Sequence, residues 1–454
     1  MKTFVVWFGV FAGLAVAVGS FGGSGCDSPV ERPTTCRTVA NCLQASAPIC
    51  DAATLTCRPC TAGADDIACK NRQATTPRCG PNGACVACVE NAECAARDLR
   101  QPACRGFVCA ACKNPTECQS RLCSADGSCA PVTDVLFVDN KNGACSGTGH
   151  KGTLGDPFCT VAEAVDAAKT DGKTLISVAA SVAAYAPLSL DASTASVTIS
   201  GSGATPADTR IGPSSPGQAA VTVSGDGTAK KPSIVMRNLE VRGQIACNNG
   251  AQLSLSKMRV KGGDSHGIHG DRCTLSVDSS EITDHNLNGI WLTQSEFALS
   301  NLMMGGNRVT AIALGVGNHG TMRFLTLVGN GNTTSTAPAG VDCGATDHSL
   351  EDSIVFDNYS RAGGVVSALK QIVGCKLENV VTNDPAATSG LFKEKLEFVS
   401  PVLGPTFDLH LVRDSAINQD ACVDKVLQSP VDHDFDGTAR PQGAAADIGA
   451  HEVQ

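Results

Sequence analysis

Apolar residues recur at a fixed interval through the centre of the chain. Four columns of apolar positions share a step of 22 residues: Leu253, Leu275 and Phe297; Leu255, Val277 and Leu299; Val260, Ile282 and Met304; and Ile268, Ile290 and Ile312. Within each segment apolar and polar residues alternate, which is typical of a strand with one buried face. The fixed step indicates that successive strands are parallel neighbours, so the pattern predicts stacked coils of 22 residues.

This spacing favours an all-β parallel β-helix over a β-sandwich. Turns in a sandwich also recur, about every 8–12 residues, but a sandwich gives no reason for a strict 22-residue step. Asparagine and glycine at the predicted corners, as in Asn288-Gly289 and Asn330-Gly331, tolerate the left-handed backbone of tight turns. At ~4.8 Å per coil, the residues from 134 onward predict about ten to twelve coils in a stack roughly 50–60 Å long.

The same step predicts which exposed side chains become neighbours on adjacent coils. The predicted neighbours are Arg259 with Glu281; Asp264 with Asn286 and Arg308; His266 with Asn288; and His269 with Trp291. Acidic, basic and aromatic side chains therefore gather on the 257–291 face, which becomes the first place to look for binding or chemistry.

The segment before the repeat has its own order of elements. An alternating apolar run at 134–139 predicts a strand, and Thr160 with Glu163 has the spacing of a helix capping box. Between them lies the loop Gly155-Asp156-Pro157-Phe158, and a buried strand is predicted at 175–178. This order resembles the opening of right-handed parallel β-helix proteins of bacterial surfaces. The resemblance implies that the short helix closes the first end of the stack.

The chain ends in a second motif. It resembles the terminal segment D-x-D-G-x-x-R-P-x-G-x-x-x-D-I-G-A-x-E of many secreted bacterial β-helix proteins, and reads Asp432-His-Asp434-Phe-Asp436-Gly437-Thr-Ala-Arg440-Pro441-Gln-Gly443-Ala-Ala-Ala-Asp447-Ile448-Gly449-Ala450-His-Glu452. As an end cap, Arg440 would pair with Asp447 or Glu452 while Ile448 covers the last coil.

The same motif contains a candidate calcium loop. Asp432, Asp434 and Asp436 followed by Gly437 match the first half of an oxygen-ligand loop, although Gly443 stands where a twelfth-position acid belongs. These three aspartates are the candidate calcium ligands, and no cofactor is required.

Composition narrows the function classes. The net charge of −9 and the pI near 5.5 leave no cationic face, which argues against a nucleic-acid partner. Charged residues make up 17% of the chain, against roughly 25% in average soluble proteins. This low charge argues against coiled coils and helical bundles.

Residues 1–25 are predicted to be an export signal. Lys2 precedes an apolar run at 5–18, and small residues then lead to Cys26. A transmembrane anchor is the alternative, but a bilayer needs roughly 20 apolar residues. The end of the signal resembles a bacterial lipobox, with Gly23 in place of the usual leucine. The resemblance implies lipidation of Cys26, a linker at 26–35 and an outer-membrane or cell-surface location; without lipidation the protein would be secreted.

Cysteines divide the rest of the chain. Sixteen fall within 36–131 in four groups of four, and a C-x-x-C step joins each group to the next. Zinc ribbons are one interpretation, but they need paired C-x-x-C knuckles with no cysteine left over. An exported chain meets an oxidising compartment, so two disulfides per group are favoured, with three connectivities open in each. The repeats resemble the Cys-rich stalks of bacterial surface proteins.

The remaining seven cysteines fall in the predicted β-helix domain, residues 132–454. The predicted pairs are Cys145 with Cys159, Cys247 with Cys273, and Cys343 with Cys375, which leaves Cys422 single.

Two functions compete on the 257–291 face. Polysaccharide lyases and glycoside hydrolases place carboxylates and basic groups along an exposed parallel sheet, and candidates for such roles are Asp264, Asp271, Asp284, Arg259 and Lys257. No tight pair of aspartates recurs on neighbouring coils, and corner residues of these types commonly satisfy turn backbone groups. No catalytic residue is therefore assigned. Candidates for glycan contact are His266, His269, Trp291 and Arg308.

The sequence thus predicts an exported, lipid-anchored surface protein whose β-helix serves adhesion or glycan contact without catalysis. The alternative is a polysaccharide lyase or glycoside hydrolase acting along the same face, and a structural envelope protein is the second alternative. The expected partner is a polysaccharide or other surface ligand, with membrane contact through the lipid anchor only.

Overall fold

A computed structural model describes residues 35–454 with short gaps. The gaps are residues 125, 142, 144, 146–148, 195, 213–217, 228–230, 332–336, 345–347, 360–370, 388, 405 and 454. The predicted signal and Cys26 therefore lie outside the described residues. The chain divides into two compact units, with the boundary between Ala87 and Cys88.

The first unit is small and held together by disulfides. Its elements are the strands Ile49–Asp51, Thr56–Arg58, Arg78–Cys79 and Cys85–Val86, the α-helix Asp66–Arg72 and the 3₁₀ helix Val39–Asn41. The strands form two antiparallel hairpins. Its disulfides join Cys36 to Cys50, Cys42 to Cys57, Cys60 to Cys79 and Cys69 to Cys85.

The second unit begins with the other two cysteine groups. Its first elements are the α-helix Asn91–Ala95, the antiparallel strands Ala103–Arg105 and Val108–Ala110, and the 3₁₀ helices Pro115–Glu117 and Val132–Asp134. The disulfides here are Cys88–Cys104, Cys94–Cys109, Cys112–Cys123 and Cys118–Cys129. All four groups therefore join their first cysteine to the third and the second to the fourth, which resolves the three connectivities that the sequence left open.

The rest of the second unit is a parallel β-helix in which each coil contributes a strand to three sheets. Sheet A contains Val135–Val138, Leu175–Val178, Val197–Gly201, Ser233–Arg237, Gln252–Ser256, the first halves of Thr274–His285 and Glu296–Gly305, His319–Arg323, Ser349–Glu351 and Lys376–Glu378. Sheet B contains Arg210–Ile211, Glu240–Arg242, Arg259–Gly263, the second halves of the same two long strands, Thr326–Val328, Ile354–Phe356, Val381–Thr382 and Leu391–Phe392. Sheet C contains Leu188–Leu190, Ala219–Ser224, Gln244–Asn248, Ile268–Asp271, Ile290–Thr293, Ile312–Leu314, Val341–Asp342 and Ile372–Val373.

The predicted register is confirmed in the central coils. Leu253 lies beside Leu275, and Leu275 lies beside Phe297, with all three side chains buried in the core. Outside this stretch the step varies: Ile199 pairs with Met236, and Met322 pairs with Leu350. These coils contain more than 22 residues each, and residues 398–453 are not part of the solenoid. The solenoid consequently has about 8 coils of ~23 residues, so the prediction of ten to twelve coils is wrong.

A helix packs on the first strands of the stack. The α-helix Val161–Asp171 follows Thr160, whose side chain accepts a hydrogen bond from the backbone N–H of Glu163 at 3.2 Å. Its buried residues Val161 and Val165 join the β-helix core. The strands on either side, Val135–Val138 and Leu175–Val178, pair in parallel.

The C-terminal segment, residues 398–453, packs along the side of the stack. It contains the antiparallel strands Phe398–Ser400 and Asp408–Leu411 and the α-helix Ala416–Ala421. Its buried Ala446 and Ile448 share an apolar cluster with Phe324 and Phe356 of successive coils. This cover explains why Thr326–Val328 and Ile354–Phe356 are buried on both faces, although an uncovered strand would alternate.

Three predicted disulfides of the β-helix domain are also present: Cys145–Cys159, Cys247–Cys273 and Cys343–Cys375. Cys422 is free and buried, and burial raises the pKa of its thiol to about 12. A buried thiol of this kind is unreactive. Among the described residues, every helix is too short or too polar to cross a membrane.

Candidate functional site

An exposed tryptophan stands on the outer face of sheet C. Trp291 is 38% exposed and lies beside His269 on one side and Ala313 on the other, as the parallel register sets them. Ala246 follows His269 on the next coil. The small alanines leave the tryptophan ring open above the sheet. We call His269, Asp271, Trp291 and Thr293 the Trp291 patch.

Two histidines fix the orientation of the tryptophan ring. The ring centroid of His269 lies 5.7 Å from that of Trp291 with an interplanar angle of 40°. His266 approaches Trp291 edge-on, at 4.6 Å and 73°. Such edge-to-face contacts are favourable between aromatic rings. The buried His266 therefore contacts the Trp291 ring edge-on, while the half-buried His269 lies beside the same ring on the outer face of the sheet.

The His266 ring is neutral at physiological pH. Burial lowers its pKa to about 4, with a smaller effect of His269 and His285. Its Nδ1 accepts a hydrogen bond from the backbone N–H of Asn288 at 3.2 Å, which keeps the ring in one position. His285 is fully buried nearby, and burial lowers its pKa to about 4 as well.

A polar row runs beside the tryptophan on the same sheet. The hydroxyl of Thr293 donates to Asp271 at 3.0 Å across the coil step. The guanidinium of Arg272, which is 59% exposed, donates to the same carboxylate at 3.1 Å and to Asn249 at 2.9 Å. An aromatic face thus borders carboxylate, hydroxyl and guanidinium groups, which are the partners that sugar hydroxyls use.

The basic candidates for catalysis lie away from the patch. Arg259 is on sheet B, 3.3 Å from Glu281 and 3.7 Å from the buried Glu240. Burial raises the pKa of Glu281 despite Arg259. Lys257 stands at the corner between sheets A and B, with its Nζ close to Gly437.

The remaining candidates lie at the corner between sheets B and C. Asp264 accepts a hydrogen bond from the side-chain amide of Asn286 at 2.9 Å, as the 22-residue step predicts. Asp284 pairs with Lys261 at 3.6 Å. Arg308 is exposed, and its backbone N–H donates to the carbonyl of His285. The five catalytic candidates are therefore distributed over two sheets and two corners.

An open groove of about 590 Å³ follows the outer face of sheet A. Its lining includes Ser254, Ser276, Thr274, Glu296 and His319. These side chains form rows because Thr274 lies beside Glu296, and Glu296 lies beside His319. Serine and threonine side chains share the lining with Gln252, Glu296, Phe297 and His319. The groove could have been located in the sequence from the polar residues, such as Ser254, Thr274 and Ser276, that alternate with apolar residues along the strands of sheet A.

The three predicted calcium ligands occupy three different environments. Asp432 is 96% exposed and bonds to His433 at 2.7 Å. Asp434 is buried and accepts hydrogen bonds from the backbone N–H groups of residues 436, 438 and 452. Asp436 faces His410 and His451 instead.

Asp436 belongs to a cluster that sequence reasoning missed. Its Oδ2 lies 2.9 Å from Nε2 of His410 and 3.8 Å from Nε2 of His451. The two imidazole rings meet at 4.2 Å with an angle of 82°. Burial opposes charge on His410, but Asp436 and Asp408 outweigh it and raise its pKa to about 9. Burial, followed by the charge of His410, lowers the pKa of His451 to about 4.

Comparisons with known proteins give no family. No family model matches the chain, and no curated protein matches it. Three solved structures resemble it at a distance. Pectate lyase Pel9A has 11% identity and a TM-score of 0.42, over 70% of this chain and 96% of that one. The ORF18 protein of Geobacillus virus E2 has 9% identity and a TM-score of 0.34, over 59% and 61%. The A-module of the mannuronan C-5 epimerase AlgE4 of Azotobacter vinelandii has 15% identity and a TM-score of 0.29, over 50% and 74%. At such values the likeness assigns no activity to this chain.

Proposed function

We propose that this protein binds a polysaccharide through the Trp291 patch and does not cleave it. The observation that carries the proposal is the exposed Trp291 ring, held in position by His266 and bordered by the hydrogen-bonded pair Asp271 and Thr293. A sugar ring has an apolar face and a rim of hydroxyls. The patch offers an aromatic surface to the face and polar groups to the rim.

The shape of the sheet supports an extended ligand. Outward side chains of one column are spaced by ~4.8 Å from coil to coil. On sheet C this column consists of Ala246, His269, Trp291 and Ala313, so a small alanine side chain lies on each side of the aromatic pair. An extended chain of sugar units would therefore meet small side chains on either side of the aromatic pair.

The positions and partners of the three candidate aspartates support binding without catalysis, because no two of them stand free on either side of the Trp291 ring. Hydrolysis requires two carboxylates on either side of one bond, about 5–10 Å apart. Asp271 is engaged by Thr293 and Arg272 on sheet C, whereas Asp264 and Asp284 lie at the neighbouring corner with partners of their own.

The proposal includes export to an oxidising compartment. Eleven disulfides among the described residues support it, because such bonds persist outside the reducing cytosol. Lipidation of Cys26 and residence at the outer membrane or cell surface belong to the same proposal, with the polysaccharide as the surface ligand. Mass spectrometry of residue 26 in the exported protein tests the lipid anchor.

The test of binding is affinity electrophoresis of the purified protein in gels containing neutral or uronic-acid polysaccharides. Trp291→Ala should weaken binding by about thirty-fold, because truncation of a central tryptophan typically costs about 2 kcal/mol or more. Phe392→Ala is the matched control, since Phe392 is an aromatic residue that is 51% exposed at the far end of sheet B. Equal retardation of all three proteins would overturn the proposed site.

The absence of cleavage is tested on the same panel. Reducing ends and unsaturated products are measured after long incubation, with and without Ca²⁺. We expect no products. Products that disappear in a D264N/D284N variant would overturn the non-catalytic proposal and favour a lyase or a glycoside hydrolase.

A further inference from the structure

We propose that the C-terminal segment binds a divalent transition metal ion, with zinc as the best fit, between His410, Asp436 and His451. The three side chains come from different parts of the segment: the strand Asp408–Leu411, the turn at 434–437 and the last residues of the chain. The proposal does not depend on glycan binding at the Trp291 patch.

The separations of the ligand atoms lie on either side of the value that a tetrahedral ion requires. Bonds of about 2.0–2.1 Å at tetrahedral angles place ligand atoms about 3.3–3.4 Å apart. The Nε2 atoms of His410 and His451 lie 2.9 and 3.8 Å from Oδ2 of Asp436, and all three ligand atoms lie within 4.8 Å of one another. Each of the two contacts to Asp436 therefore differs from the tetrahedral separation by about half an ångström.

Asp408 orients the first ligand. Its carboxylate bonds to Nδ1 of His410 and also accepts the backbone N–H of His410 at 2.9 Å. With Nδ1 held in this way, Nε2 points towards Asp436 and His451. A carboxylate on the far nitrogen of a coordinating imidazole is the usual arrangement in metal sites, where it sets the tautomer and strengthens the ligand.

Asp434 fixes the other two ligands relative to each other. Its buried carboxylate accepts the backbone N–H of Asp436 at 3.0 Å through one oxygen and that of Glu452 at 3.0 Å through the other. The carbonyl of Ala450 accepts the backbone N–H of Phe435 at 2.8 Å. The turn that carries Asp436 and the C-terminal residues that include His451 are thus joined before any ion binds.

The donor set selects the kind of ion. Two imidazoles and one carboxylate suit zinc, cobalt, nickel and copper, whereas calcium and magnesium prefer oxygen ligands alone. Three protein ligands leave a fourth position for water or another group. Asp436 is 48% exposed, so an ion can reach the site from solvent.

The side chain of Lys257 is a cation that lies near enough to oppose binding. The Nζ of Lys257 lies beside Gly437 and acts on the carboxylate of Asp436. Lys257→Met should therefore raise the affinity for a divalent ion. This direction separates a metal site from a purely structural cluster, in which loss of Lys257 would change nothing measurable with zinc or cobalt.

The test uses the full chain, freed of metal with a chelator and titrated with zinc chloride by isothermal calorimetry. We expect one equivalent per chain, and an absorption band typical of tetrahedral coordination when cobalt chloride replaces zinc. His410→Ala and His451→Ala should abolish both signals, and Asp408→Asn should weaken zinc binding by about 10- to 100-fold.

His433→Ala is the matched control. His433 also lies between two carboxylates, those of Asp278 and Asp432, but it does not belong to the cluster. This variant should bind zinc with unchanged stoichiometry. Near-ultraviolet circular dichroism establishes that each variant is folded. Folded wild-type protein that binds neither ion, or binding that survives both His410→Ala and His451→Ala, would overturn the proposal.

Discussion

The carboxylate of Asp278 and Nε2 of His433 lie 2.9 Å apart, although 155 residues separate them along the chain. Asp278 also accepts hydrogen bonds from the hydroxyl of Ser300 at 2.6 Å and from the amide of Asn301 at 3.0 Å. The bond joins the outer face of the β-helix to the C-terminal segment. The hydrogen bond with Asp278, helped by Asp432, raises the pKa of His433 to about 9.

Replacing His433 with glutamine should give a pH-dependent loss of stability. The folded-state pKa lies above the unfolded value of about 6.5, so the stabilisation is complete below pH 6.5 and disappears as pH rises through 9. We expect roughly 0.5–1 kcal/mol at pH 6, because the pair is partly exposed. Thermal unfolding at pH 6 and pH 10 measures the effect, and an equal loss at both values would contradict it.

Substitution of Arg440 should strongly lower the free energy of unfolding. Its guanidinium lies 2.6 Å from Glu452 with both side chains buried, and it rests 4.2 Å above the ring of Phe324. Arg440→Met leaves the Glu452 carboxylate buried and unpaired, so we expect a loss of about 3–5 kcal/mol in urea unfolding.

Lys393→Met is the matched control for Arg440. Lys393 pairs with Asp420, which is 73% exposed. An exposed pair contributes about 1 kcal/mol or less. Similar losses for the two variants would show that the buried pair has no special role.

Stacked asparagines should stabilise one corner of the solenoid. The side-chain amide of Asn307 donates to Asn330 at 2.8 Å, and that of Asn330 donates to Asn358 at 2.8 Å. All three residues are buried. Asn330→Leu removes the middle member and leaves polar groups without partners, at about 1–3 kcal/mol for each buried group. Urea unfolding measures the loss in the free energy of unfolding. Asn286→Leu is the control: Asn286 lies at a half-buried corner, so its replacement should lower that free energy by less.

The central coils were predictable because their step is constant. Pairs such as Arg259 with Glu281 and His269 with Trp291 follow from counting 22 residues, and the structure places both pairs in register. Where insertions change the step, as between Met322 and Leu350, counting fails, and the number of coils was overestimated for that reason.

The C-terminal cluster could not be predicted from a local pattern. His410 lies 26 residues before Asp436 in a stretch without a motif, and His451 occupies a variable position of the terminal motif. Their meeting depends on how the segment folds back on itself. The sequence pointed to the aspartates at 432–436, but alternation alone does not reveal that Asp434 turns inward while Asp436 turns towards the histidines.

The most direct test of polysaccharide binding uses the fluorescence of Trp291 itself. The chain has two tryptophans, Trp7 and Trp291, so protein without residues 1–25, or with Trp7→Phe, reports on Trp291 alone. Titration with neutral and uronic-acid polysaccharides should give a saturable shift in its emission, with a midpoint that matches the affinity measured by electrophoresis. Saturable binding of a polysaccharide with no change in Trp291 emission, or no binding across the panel, would contradict the account.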